Sequence, residues 1–329
     1  MTPRPRLIGF IFLMAGNALM AGNAAGLMAG SAVGTAQAQT GSAIYLNDAG
    51  NGRVVRMADM RGTGWAALPG QAGERTFAFQ SGIAVDRAGR IYFTDATAAR
   101  LVRVDDITGR GLVAYGRRGS GPHQFDLPAG IALDDQGRLY IADASNARIV
   151  RVNDLTGSGW IAYGRHGRGM HEFGFPQDVA VDRAGRIYIT DALNDRIVRI
   201  DDLSGTGWTA LGRRGSGVGT FDHPTGIAVD DRGRLYITDS ANDRVVRVDD
   251  MTGAGWTALG RTGAGRHEFV FPTGVALDGA GRIYVTDENH RVVRMADLTG
   301  AGWSSYGTMG VARGHFFFPS AVVVVGTPP

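Results

Sequence analysis

Two short stretches carry the residue types that acid–base or metal chemistry would use: Gln177-Asp178 and Asp287-Glu288-Asn289-His290. Elsewhere such residues are scarce. The chain has no cysteine and no lysine, so all 34 basic side chains are arginine, and of the 31 acids only Glu74, Glu172, Glu268 and Glu288 are glutamate. Without thiols, disulfide frameworks, zinc–thiolate sites, iron–sulfur clusters and a cysteine nucleophile are excluded. Neither a Ser-His-Asp spacing nor H-E-x-x-H occurs, and Gly116–Gly121 lacks the Gly-Lys-Ser/Thr ending of a phosphate loop. His123, His171 and His267 each stand five residues before a proline in a glycine-rich loop, but on three different repeats. Positions spread around a ring do not converge to ligand distances of about 2 Å, so a polar loop role is expected and no metal site is assigned. A net charge of +3 is too small to mark a nucleic-acid binder.

The elements that must position these residues come from one repeated unit. Pro128, Pro176, Pro224, Pro272 and Pro319 are 48, 48, 48 and 47 residues apart, and Gln80 holds the same place before Pro128. Within a unit, four short β-branched or aromatic runs are separated by Asp/Gly clusters, the pattern of a four-stranded antiparallel meander, strands a to d. The 51 glycines agree with a turn-rich β protein, and hydrophobic residues at 44% suffice for a core. Turns such as Asp230-Asp231-Arg232-Gly233 carry type I preferences. The c–d loops, such as Asp201–Gly205, lack the spacing of a calcium loop.

Five complete units fill 81–128, 129–176, 177–224, 225–272 and 273–319. Residues 43–80 read as a unit without its first strand, and Ser320–Val325 supplies a strand at the far end. Joining the two predicts a six-bladed all-β propeller whose C-terminal strand is innermost in blade 1, a closure that leaves no blade unpaired.

The stretch Gly226-Ile227-Ala228-Val229-Asp230, Gly233–Ser240 and Asn242–Arg247 resembles the NHL repeat, and the resemblance spans nearly all of 39–329. It implies a six-bladed propeller without naming a function, because related propellers include peptide-amidating lyases, sugar-lactone hydrolases, RNA-binding domains and protein-binding sensors.

In every unit an aspartate closes strand b and an arginine opens strand c: Asp48/Arg53, Asp95/Arg100, Asp143/Arg148, Asp191/Arg196, Asp239/Arg244 and Asp287/Arg291. Catalysis needs an asymmetric constellation, whereas a ring needs the same contact six times, so a structural role is expected. Trp65, Trp160, Trp208, Trp256 and Trp303 read as packing residues of the outer strand or as an exposed aromatic band.

Departures from the repeat mark the candidate site. Gln177-Asp178 replaces a small residue followed by glycine, and the blade 6 b–c loop is shortened to Asp287–His290. Both belong to the face shared by the d–a and b–c loops. Arg117, Arg165 and Arg213 occupy d–a loops there and could meet an anionic ligand. The expectation is a non-catalytic scaffold that binds a protein or extracellular ligand through this face, with no cofactor and no nucleic-acid partner. The alternative, drawn from the enzyme branch of the resemblance, is a metal-assisted lyase or lactone hydrolase. It would use Asp178, Glu288, Asn289 and His290, with a divalent metal such as calcium in the channel.

Residues 1–38 have a basic start at Arg4 and Arg6, an apolar run Leu7–Met14 and a terminal Ala36-Gln37-Ala38, the secretory pattern. Cleavage would leave 39–329 as one exported propeller, periplasmic or secreted, without a membrane span.

Overall fold

The computed structural model describes residues 42–68, 77 and 79–326; the expected leader at 1–38 lies outside them. The chain folds as a six-bladed propeller of four-stranded antiparallel sheets. Blade 4 serves as the pattern. Strand a, Pro176–Val181, pairs with b, Ile187–Asp191; b pairs with c, Arg196–Ile200; c pairs with the short outer strand d, Thr209–Leu211. Proline opens strand a at a position that donates nothing to the ladder. Strand d is three residues long, which blunts the exposed edge.

Blade 1 is built from both ends of the described chain. Ala43–Asp48, Arg53–Met57 and Ala66–Leu68 take Pro319–Val325 as their innermost strand, with Ile44 opposite Val324 and Leu46 opposite Val322. No described helix is long and apolar enough to cross a membrane; helical turns such as Ala192–Asn194 are single 3₁₀ turns in the b–c loops.

The core lies between blades. Ile187, Ile189, Val198 and Ile200 of blade 4 pack on Tyr140, Ala142 and Ile149 of blade 3, and Phe173 from the intervening d–a loop is buried among them. Phe125, Phe221, Phe269 and Phe316 repeat this insertion. The d–a loops are therefore folded elements: Arg165-His166 forms a small parallel ladder with Glu172-Phe173, which aims the phenylalanine inward. Gly164, at φ 108°, permits the turn, since a β-carbon there would meet the Phe173 ring at 2.6 Å.

The recurring aspartate organises the loop face. Asp191 is fully buried. It accepts from the Gly174 and Phe175 N–H groups at 2.8 and 3.2 Å, from Asn194 Nδ2 at 2.7 Å and from Arg196 Nε at 3.0 Å. Arg196 in turn donates to the Arg168 and Glu172 carbonyls at 2.8 and 2.7 Å and lies 5.6 Å from the Trp208 ring centroid. The matching ion pairs are Asp48–Arg53, Asp95–Arg100, Asp143–Arg148, Asp239–Arg244 and Asp287–Arg291, at 2.7, 2.9, 2.8, 2.7 and 3.1 Å. Each ties a d–a loop or b–c turn to its blade by charge-assisted bonds.

Candidate functional site

The six a strands enclose an axial cavity of about 350 Å³. Its wall is mostly backbone and aliphatic, because the strands approach so closely that side chains at the narrowest level are excluded. A β-carbon at Gly82 would lie 2.6 Å from the Ala129 carbonyl, and one at Gly226 would lie 2.4 Å from the Thr273 carbonyl. At this level the blades carry Gly82, Gly130, Asp178, Gly226, Gly274 and Ala321. Asp178 is the exception.

Its carboxylate lies against Gly130 on one side and reaches the next blade on the other. Oδ1 accepts from the Val179 N–H at 2.9 Å and Oδ2 from the Ile227 N–H at 3.1 Å. The half-buried group faces the channel, and desolvation pushes its pKa up to about 7 against the opposing pull of those two N–H groups. Near neutral pH it can both hold and release a proton.

Glu288 also lines the channel. Its N–H donates to the Val270 carbonyl at 2.8 Å, as the Ser145 and Ala241 N–H groups donate to the Asp126 and Asp222 carbonyls at 3.1 and 3.0 Å. In the shortened loop the glutamate thus takes the place of Ser145 and Ala241, and its side chain adds a second acid to the wall. Among the described residues, Asp178 and Glu288 are the only ionisable side chains lining it, together with neutral polar groups such as Gln177, Ser81 and Thr225.

The other two residues of the blade 6 loop do not join them in that wall. Asn289 donates to Asp287 Oδ2 and to the Gly263 carbonyl at 2.8 and 2.9 Å. Asn194 makes the same pair of bonds in blade 4, so the Asn289 amide belongs to the loop-ordering node. His290, at φ 61°, stacks on Phe317, and its Nδ1 accepts from the Phe318 N–H at 3.2 Å. Burial lowers its pKa, which suits the acceptor role. Arg117, Arg165 and Arg213 lie on the exposed outer part of the loops, outside the channel wall. Arg165 is paired with Glu172 at 3.1 Å. His123, His171 and His267 stand 5.2, 5.5 and 5.4 Å from Trp160, Trp208 and Trp303, so loop histidine and next-blade tryptophan form one contact around the rim.

One feature escaped the sequence reading. In strand b, Thr94, Thr190 and Thr238 donate to the carbonyls that follow the proline of the next blade, Ala129, Thr225 and Thr273, at 2.6, 2.6 and 2.8 Å. The same hydroxyls accept from Gly82, Asp178 and Gly226 N–H groups at 2.8, 2.9 and 2.7 Å. Asn47 spans to the Gly82 carbonyl at 3.0 Å in blade 1. Blade 3 has Ala142 at this position, and a methyl cannot bridge. The missing hydroxyl falls at the junction of blades 3 and 4, beside Gln177 and Asp178. The signal was a threonine column replaced by asparagine in blade 1 and by alanine in blade 3.

Residues 80–306 match the SMP-30/Gluconolactonase/LRE-like region family. The chain belongs to this family. No curated protein matches it. Among solved structures, the propeller of a nidogen/laminin complex is 18% identical, covers 86% of this chain and 98% of its own, and superposes with a TM-score of 0.65. A streptogramin B lyase is 14% identical over 86% and 83% of the two chains, with a TM-score of 0.57. A virginiamycin B lyase from Staphylococcus aureus is 15% identical over 82% of each, with a TM-score of 0.54. At these identities the likeness is one of fold. A divalent ion in the channel of this family member finds a poor donor set. Among the described residues no three His, Cys, Asp or Glu side chains gather to hold one. Neither Asn289 nor His290 lines the channel.

Proposed function

We propose that this family member is an exported, non-catalytic binding propeller that receives its ligand on the loop-bearing face, where the channel opens. The observation that carries this reading is the contrast between rim and axis. Around the rim, Asp/Asn/Arg nodes hold the loops in one repeated arrangement, which makes a rigid surface. On the axis the repeat breaks at Gln177, Asp178, Ala142 and Glu288 without a nucleophile–base pair or metal cage beside them. Met170 and Val218, 63% and 76% exposed, stand on the same loop face and offer apolar contact to a partner. The structural relative from a nidogen/laminin complex is compatible with partner binding by this fold.

The decisive experiment pairs hydrogen exchange with a turnover screen on protein purified after export. Ligand-dependent protection of the 176–181 and 224–229 strands, with no turnover of a lactone and ester panel, is the expected result. Stoichiometric metal retention with lactone hydrolysis lost in D178G would establish the second reading, lactone hydrolysis, which the family match favours. N-terminal sequencing of the exported protein tests the leader: a start at Thr40 or beyond, or retention of Met1, contradicts cleavage after Ala38.

A further inference from the structure

The channel has a definite electrical and hydrogen-bonding character. Among the described residues its two ionisable wall groups are both acids, and no arginine or histidine side chain lines it. The loop arginines that would attract an anion lie outside the wall, several already paired: Arg118 with Asp126 at 2.9 Å, Arg165 with Glu172 at 3.1 Å, Arg261 with Glu268 at 3.0 Å. At the junction of blades 3 and 4, Ala142 cannot supply the hydroxyl that links strand b to the next a strand at other junctions. The Asp178 carboxylate lines the channel beside this junction, with the aliphatic wall of Ile131, Val179 and Ile227 around it.

We infer that the axial channel receives a protonated amine carried on an apolar body, held at the junction of blades 3 and 4 by the Asp178 carboxylate. This rests on the binding reading above and names its ligand class. A cavity of about 350 Å³ fits a small aromatic or aliphatic amine. An anion of the same shape would face two acids and no compensating base. An ammonium beside Asp178 favours its charged form, so binding releases the proton that the empty channel retains near neutrality. Affinity therefore rises as pH increases from 5 to 8, with Glu288 the other titratable wall group.

The test is calorimetric titration of the exported full-length protein with 2-phenylethylammonium, with 3-phenylpropanoate as the anionic match and N-acetyl-2-phenylethylamine as the neutral one. A pair of short peptides, one with a free lysine and one with that lysine acetylated, forms a second arm. One-to-one binding of 2-phenylethylammonium, weakened at least about tenfold by D178G and stronger at pH 8 than at pH 5, is expected. If the lysine peptide binds and the free amine does not, the same chemistry comes from a partner's side chain. D178S and the wild-type pH profile carry the test if D178G does not fold. Binding of no cationic probe, equal affinity in D178G, preference for 3-phenylpropanoate, or calcium binding that D178G abolishes in place of amine binding would overturn the assignment. A bound anion with protected channel strands would leave the binding reading standing and remove the amine alone.

Discussion

A carboxyl in a ring of glycines has consequences that titration can read. Asp178 binds its proton more tightly folded than unfolded, since its pKa moves from an ordinary value of 3.8 to about 7. The stability contributed by that proton is fully present below about pH 4 and is lost as pH rises through 7. D178G, which restores the residue of Gly130 and Gly226, should therefore gain on the wild type by on the order of 1–3 kcal/mol between pH 4 and 8, after discounting for water in the channel. Urea unfolding at fixed pH values checks this; parallel curves would contradict it. His223 gives the opposite slope. It is 4% exposed, and burial lowers its pKa from 6.5 to about 4. The stability of its neutral form is present above pH 6.5 and falls away toward pH 4. H223F copies Phe271 of the next blade and should lessen acid sensitivity by on the order of 2–3 kcal/mol at pH 4, read by the same unfolding series.

At the scale of the strand, the threonine column shows how blades are joined near the axis. A hydroxyl that accepts from its own blade and donates to the next links two sheets through one side chain. A142T should add that link between blades 3 and 4 and raise stability by about 1 kcal/mol. Chemical denaturation distinguishes this from an overpacked core, which would lower stability. The strand pattern itself was legible because each blade repeats it, and so was the Asp/Arg pairing, whose residues face each other across one hairpin. The site was legible only in part. Asp178 and Glu288 are single-residue breaks in otherwise small-residue columns, and both reach the channel. Asn289 and His290 are their neighbours in sequence alone, because a tight loop sends successive side chains in different directions. Ala142 was passed over because an alanine in a strand attracts no chemical interest until the hydroxyls in register with it are seen to span two blades.

For the whole molecule, ring closure concentrates risk in one strand. Val322 belongs to the core shared by blades 6 and 1, and Ala321 and Val323 pack against the core shared by blades 1 and 2. Removing residues 320–329 strips both, uncovers Ile44 and Leu46, and should lower the melting temperature of the entire ring in a single transition. An unchanged melting curve would refute closure by the termini. Pairing of Ala43 with Val325 has another outcome. In blade 4 these positions are Arg186 and Asp182, bridged by the three residues Arg183–Gly185, on the side of the disc away from the loops. A similar three-residue bridge between Val325 and Ala43 would make the polypeptide a circle, which could be reopened within any blade without changing its cyclic order. Cargo or a surface tether attached at either natural end would hang from the back of the disc and leave the ligand-receiving side facing outward.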